Sequence, residues 1–534
     1  AYQVMDIGRF VSHFKAVDKK GREITVKKIQ VNQYEIEHPE KVRRITYSVA
    51  ETFDTPVREN PVYAMSGSSL EKNHALINTH CMLGYFQGLQ DADIEIGMVY
   101  PPGWKIGTPL TFNKNNRLTA TDFDFAVDSP ILLGDLTQAS LDVAGKKIEI
   151  YTFSKTGIVK SSGLMENMRN VFLATNKFVK GFPIDRYVLL FHFEDITAGA
   201  WEHSYSSEYV FKETEITPQI GQYLNGIAAH EIFHMITPLN LHSEITEEFN
   251  FNTPTPSQHL WLYEGVTEWA SDMLQLRDSL MNLEEVLDQV RDKLLTDEQF
   301  DKSYSLQKLS LTSYTPEGLK QYPNIYYRGA LVPLIMDIFL LEKTGGTRGL
   351  REVLLDLAKK YGPHKAFSEE NFFNEFVSMT HPEMRTIIDK YIIHAEPLPI
   401  GEYFDKIGIQ YSPEVKTGGI LPDRGHTLSY NGGNFFVSEV RELSEREGLK
   451  VNDVIQEING VQATHENFET LVPIIQGIQP GDTVTYRVQR GSESVVLKLS
   501  VGEKEAIEKH VFTIKENASP AELSLRNAWM KNFD

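Results

Sequence analysis

Residues 225–238 read Asn225-Gly226-Ile227-Ala228-Ala229-His230-Glu231-Ile232-Phe233-His234-Met235-Ile236-Thr237-Pro238, and the five at 230–234 decide the reading of the chain. His230 and His234 are four positions apart, so a helix sets both imidazoles on one face, one turn apart. Small residues lead into the run, and Pro238 stops it after Ile236-Thr237. Two neutral imidazoles on one face can hold Zn²⁺, and Glu231 between them lies where it can handle a water proton. Histidine pairs at this spacing are more often ordinary surface or core residues. Here the turn before His230 is apolar, which marks a buried helix.

A third ligand is expected in Trp261-Leu262-Tyr263-Glu264-Gly265-Val266-Thr267-Glu268-Trp269. A glutamate in such an apolar, aromatic stretch is costly to bury unless a metal or a hydrogen bond compensates it. Glu264 follows His234 by 30 positions (264 − 234), enough for one helix to end, a loop to cross and a second helix to return. Glu268 lies one turn further on the same face and competes for the role. Glu264 is favoured as ligand, and Glu268 then suits the free N–H of a ligating histidine. The alternative for Glu268 is a solvated acid. Three protein ligands leave one position for water, the pattern of a catalytic zinc (one ion), although nitrogen and oxygen donors also suit other divalent metals. Glu231, about 100° around the helix from His230, is read as the catalytic general base and acid.

These motifs resemble the glycyl aminopeptidase family of zinc peptidases, which are gluzincins with a C-terminal PDZ domain. His230-Glu231-x-x-His234 followed by Trp261-x-x-Glu264-Gly265 is the main match. Pro102-Gly103-Trp104, Val127-Asp128-Ser129-Pro130 with Gly134, and Ala198-Gly199-Ala200-Trp201-Glu202-His203 resemble further family stretches, so the resemblance covers nearly the whole chain. It implies a multidomain α+β protein: an N-terminal antiparallel β domain, a thermolysin-like two-lobe catalytic domain and a C-terminal PDZ domain. Tyr326-x-Arg328-Gly329 resembles the Tyr-x-Lys-Gly pattern that supplies a catalytic tyrosine in related aminopeptidases. Tyr326 is the first choice, Tyr327 the alternate, and a packed aromatic cluster the plain alternative. Glu202 is expected to bind the substrate α-ammonium, with Gly199 and Ala200 letting its backbone approach. The family's Gly-Gly-Leu before that glutamate is altered here and Trp201 is added. Where relatives often carry basic residues after the second histidine, this chain has Met235-Ile236-Thr237-Pro238.

The length of 534 residues is too great for one core and predicts several domains. Residues 1–150 alternate apolar and polar positions, as in Arg44-Ile45-Thr46-Tyr47-Ser48-Val49, and read as the β domain. The peptidase domain is expected over 151–400, an α/β lobe with a strand at Tyr187–Phe193 and then a helical lobe. Residues 401–505 read as the PDZ domain, from Gly448-Leu449 through Gly460 and a last hairpin turned at Gly491. Asn431-Gly432-Gly433-Asn434-Phe435-Phe436 sits where its carboxylate-binding loop should be. Residues 506–534 form a tail with an amphipathic helix at Pro520–Lys531. The chain starts in what resembles the middle of the β domain, so a truncated start is expected.

The formal charge of −20 argues against nucleic acid or an anionic membrane as partner. Cys81 is the single cysteine, so no internal disulfide is expected, and its neighbours suggest a packed strand. No apolar run approaches a membrane span, and Ala330–Leu341, which carries Asp337, reads as a core helix. The expected partners are peptide substrates and, for the PDZ module, a peptide C-terminus or the protein's own catalytic domain. By resemblance the location is the bacterial cell envelope or periplasm, with the cytoplasm as alternative. The leading reading is a zinc-dependent aminopeptidase, with a preference for N-terminal Gly or Ala implied by the family. A zinc endopeptidase using the same ligands and a catalytically silent PDZ-bearing peptide-binding scaffold are the competitors.

Overall fold

The structure is a computed structural model that describes residues 5–247, 249–431, 434–464 and 467–531. The protein is a multidomain α+β molecule with an N-terminal β domain and a long helical region. It divides into two compact units, one running to Gln410 and resuming at Ile514, the other spanning Tyr411–Thr513.

The N-terminal part of the first unit is built of small antiparallel sheets. In one, Val11–Val17 lies between Glu23–Ile24 and Arg44–Val49; in another, His74–Ile77 pairs with Ile131–Gly134. Cys81 is buried, but it closes a single 3₁₀ turn (Thr79–Cys81) and not the strand expected for it. Its thiol donates to the Ser66 carbonyl, 3.0 Å away.

A five-stranded sheet begins at Thr137. Its strands are β1 (Thr137–Val143), β2 (Lys146–Ser154), β3 (Arg186–Glu194), β4 (Gly199–His203) and β5 (Ser206–Lys212), in the order β1-β2-β3-β5-β4. The run Tyr187-Val188-Leu189-Leu190-Phe191 makes β3 a central strand buried on both faces, parallel to both neighbours. Helix α1 (Ser161–Phe178) makes the crossover from β2 to β3. β4 is left at the sheet edge, antiparallel to β5.

Helix α2 (Pro218–Phe233) starts on an N-cap, Thr217, whose hydroxyl accepts from the Ile220 amide, with proline at the first helical position. It ends at Phe233, earlier than the sequence suggests. Met235 and Ile236 donate to the carbonyls three residues back, tightening the last turn. The Thr237 carbonyl is thereby freed to accept from His234 Nδ1 at 2.9 Å.

A π-helical turn at Trp261–Gly265 leads into α3 (Val266–Arg277), followed by α4 (Leu283–Asp297) and α5 (Asn324–Lys343). α5 is long and apolar enough to cross a bilayer, with mean hydropathy 1.3, but nearly all of it is buried inside the protein. Its buried acid, Asp337, receives Arg277 Nη2 at 2.6 Å and the Leu350 amide at 2.8 Å. The C-terminal helix α6 (Pro520–Lys531) packs beside α3 and α5, with Trp529 buried and its carbonyl accepting from Arg277 Nε. Leu523 on the same helix is exposed.

In the second unit a sheet runs in the order His426–Asn431, Asn434–Val440, Val454–Ile458, Thr483–Arg490, Glu493–Ser500, with a helix at Phe468–Gln476. Its core gathers Val437, Leu449, Ile455, Leu471, Tyr486 and Val488. Gly432 and Gly433 of the expected carboxylate-binding loop lie outside the described residues. Gly502–Ile514 is a strand paired with Ile409–Asp423, where the sequence suggested that the tail had begun at residue 506. The stretch at 502–514 satisfies its backbone through that partner.

One contact sets how the π turn meets α5. A Cβ on Gly265 would lie 2.5 Å from the Gly329 carbonyl oxygen, and one on Gly329 would lie 3.1 Å from the Gly265 Cα. Only two residues lacking side chains allow backbones this close. Gly226, inside α2, faces open space. Gly265→Ala is expected to lower the unfolding midpoint in urea, reflecting a stability loss of about 1–3 kcal/mol from the overpacking. Gly226→Ala serves as control and should be neutral or stabilise by up to about 1 kcal/mol. Equal midpoints for the two variants would remove the packing argument.

Candidate metal centre

Three donor atoms converge where α2 meets the π turn. Glu264 Oε2 lies 3.4 Å from His230 Nε2 and 3.8 Å from His234 Nε2, and all three donors are within 4.8 Å of one another. Ligands held tetrahedrally at about 2.05 Å from one zinc are separated by about 3.3 Å, so these spacings fit a shared divalent ion. All three residues are buried. The helical spacing read from the sequence therefore brings these imidazoles and this carboxylate together.

The far nitrogen of each ring is engaged. His230 Nδ1 meets Glu268 Oε2 at 2.9 Å, and His234 Nδ1 meets the Thr237 carbonyl at 2.9 Å. Both contacts place the proton on Nδ1 and aim the Nε2 lone pair at the shared point. Burial alone would depress the His230 pKa, but its bonds to Glu264 and Glu268 outweigh that and raise it well above the usual value. So many carboxylates about one ring form a site that favours a cation.

Glu231 is buried and its Oε2 has no hydrogen-bond partner. Burial, then the neighbouring charges of Glu202, Glu264 and Glu268, push its carboxyl well above the usual range, against an opposing pull from His230. Glu202, on edge strand β4, brings a carboxylate oxygen within 4.8 Å of donor atoms of Glu231 and His234. Strand alternation puts Ala200 and Glu202 on one face and Trp201 and His203 on the other. Trp201 packs against the core around Met65, Leu76 and Val210, so the added bulky residue does not crowd Glu202.

The ring of Tyr326, in the first turn of α5, has its centroid 5.7 Å from that of His230. Burial and then Glu264 raise its phenol well above the ordinary value, so it stays protonated and able to donate. Tyr322, one turn earlier, packs against it and is raised for the same two reasons. Tyr327 stacks on Phe300. Arg328 turns to the Glu396 carbonyl and to Asp297.

Several residues at the site were not anticipated from the sequence. Tyr63, from the N-terminal domain, feels the charges of Glu231, Glu202 and Glu264. A Cβ on Gly199 would lie 3.8 Å from its hydroxyl, and Gly199 itself has φ +127°. Lys293 and Asp272 lie beneath Glu268. Lys293 could have been noticed, because it falls on the buried stripe of α4 with Val286, Val290, Leu294 and Asp297.

A second gathering of donors joins His74 with His192 and Glu194 of β3. Its two Nε2 atoms are 2.8 Å apart, a hydrogen-bond distance shorter than two ligands of one zinc adopt. Burial lowers both rings, His74 to about 4 and His192 to about 3, so this is a neutral hydrogen-bonded pair at pH 7.

Comparison with known proteins gives a consistent picture. Over nearly its whole length the chain shares the fold of the aminopeptidase N family protein from Idiomarina loihiensis, covering 99% of this chain and 93% of that one (TM-score 0.80, 19% identity). An M1 zinc metallopeptidase from Deinococcus radiodurans is a more distant likeness (TM-score 0.48, 13% identity), covering 73% of this chain and 85% of that one. None of the curated proteins compared with the chain matches it. Residues 1–135 match the Peptidase M61 N-terminal domain, and residues 223–332, which contain His230, Glu231, His234, Glu264 and Tyr326, match the M61 glycyl aminopeptidase family. The chain thus carries both an M61 N-terminal domain and the M61 glycyl aminopeptidase segment, as its motifs suggested, and this family match supports a peptidase.

Proposed function

We propose that the protein is a zinc-dependent aminopeptidase that hydrolyses the N-terminal peptide bond of peptides. The observation that carries the reading is Glu202. Its carboxylate sits beside Glu231 and His234, and among the described residues no lysine or arginine pairs with it. An anion in that position suits a cation brought by the substrate, and a free α-ammonium is the one every unblocked peptide has. β4 is an edge strand, so its free backbone edge can pair with an extended peptide.

His230, His234 and Glu264 would hold the zinc. When bound, the ion acidifies a water and polarises the scissile carbonyl. Glu231 has a carboxylate oxygen with no competing partner and a raised affinity for protons. It takes a proton from the attacking water and delivers it to the leaving amine nitrogen. The Tyr326 hydroxyl donates to the carbonyl oxygen as negative charge develops there. Preference for Gly or Ala at the N-terminus rests on the family resemblance, and Tyr63 beside Gly199 is the side chain placed to limit larger residues. The unit at 411–513 is read as a PDZ domain from its Gly448–Gly460 segment and its hairpin around Gly491.

Glu231→Gln should leave zinc content unchanged and reduce kcat by about 10²–10⁴-fold; near-normal turnover in zinc-loaded variant removes Glu231 from the chemistry. Tyr326→Phe should lower kcat by about 10²–10³-fold with an unchanged melting temperature. A drop in melting temperature with kcat intact would instead mark Tyr326 as packing. N-acetylation of a good peptide substrate should abolish cleavage, whereas hydrolysis of the acetylated peptide at an internal bond would make the enzyme an endopeptidase.

A further inference from the structure

Beneath His230 lies a chain of charged contacts that the proposed chemistry does not use. Glu268 spends Oε2 on His230 Nδ1, at 2.9 Å, and Oε1 on Lys293 Nζ, also at 2.9 Å. Lys293 Nζ continues to Asp272 Oδ2 at 3.0 Å. Glu268 and Asp272 are one turn apart on α3, while Lys293 comes from α4. The Lys293 side chain is only 11% exposed. A lysine on the buried stripe of an amphipathic helix is costly to desolvate and adds little to stability over an apolar residue of equal size. Its position is therefore better explained by what it touches.

We propose that Lys293 is a positioning residue for the metal centre: it fixes Glu268 as the anionic acceptor of His230 Nδ1, and through Glu268 it sets the aim and donor strength of His230 Nε2. The proposal rests on the zinc reading above and concerns metal affinity. Without Lys293, Glu268 loses the partner of one oxygen and faces Asp272 across a space no longer neutralised. Its carboxylate is then free to turn away, and His230 loses the acceptor that holds its ring in place. Asp272 acts on the other side of Lys293 and locks the ammonium at the midpoint between two carboxylates.

The test is a double-mutant cycle on zinc affinity, measured by competition with a chromogenic chelator on the full chain, without reference to turnover. Lys293→Met and Glu268→Gln should each weaken zinc binding by about tenfold or more. Because Lys293 acts through Glu268, the double variant should bind zinc no more weakly than Glu268→Gln alone. Lys293→Met with wild-type zinc affinity overturns the proposal, even if its metal-free form melts lower, since that would be a purely structural ion pair. Full additivity in the double variant also overturns it. If Lys293→Met does not yield folded protein, Lys293→Gln, which removes the charge and keeps a donor, should show the same loss; unchanged affinity there counts against it equally. A wild-type protein that binds no zinc defeats the metal reading itself, an outcome separate from these.

Discussion

Placing several carboxylates in one buried pocket is the constraint around which the helical region is arranged. Glu231, Glu264 and Glu268 surround two imidazoles, with Glu202 at the rim. Each ionised carboxylate taken from water costs several kcal/mol unless something cationic repays it. The protein supplies part of the compensation from Lys293 and His230. The remainder suits a divalent ion at the Nε2 atoms and a substrate amine at Glu202. Stability and chemistry are thus linked, because the groups that would make the pocket expensive to fold are those that would act on a peptide.

The part of this pocket written in short-range patterns could be read from the chain alone. Four-residue spacing aligns His230 with His234, and a charged residue within Trp261–Trp269 is conspicuous among aromatics. The contact from Glu268 to His230 followed from the same one-turn logic. The resemblance of Ala198–His203 to a family strand pointed to Glu202, and the sheet order places it on an edge strand. The buried run of β3 and the final helix at Pro520–Lys531 were equally visible, because periodicity and capping are local.

What stayed hidden depends on backbone geometry or on residues far apart in sequence. Nothing in Trp261–Gly265 announces a π turn, and no pattern says that Gly265 will touch Gly329. The early end of α2 leaves the Thr237 carbonyl to accept from His234 Nδ1, a contact invisible to composition. Tyr63 reaches the site from a loop of the N-terminal domain, over a sequence distance that no motif spans. The strand at Gly502–Ile514 could not be separated from a tail until its partner at Ile409–Asp423 was seen.

Helix α4 joins two branches of the site. Lys293 reaches toward His230, and four residues on, Asp297 accepts from Asn324 Nδ2 at 2.9 Å in the opening turn of α5, just ahead of Tyr326. These two grips lie about 6 Å apart along one rigid rod. Any slide or roll of that rod shifts the imidazole's support and the tyrosine's anchorage in concert. A single outer helix thereby acts as a common mount, keeping two separately encoded halves of the centre in mutual alignment.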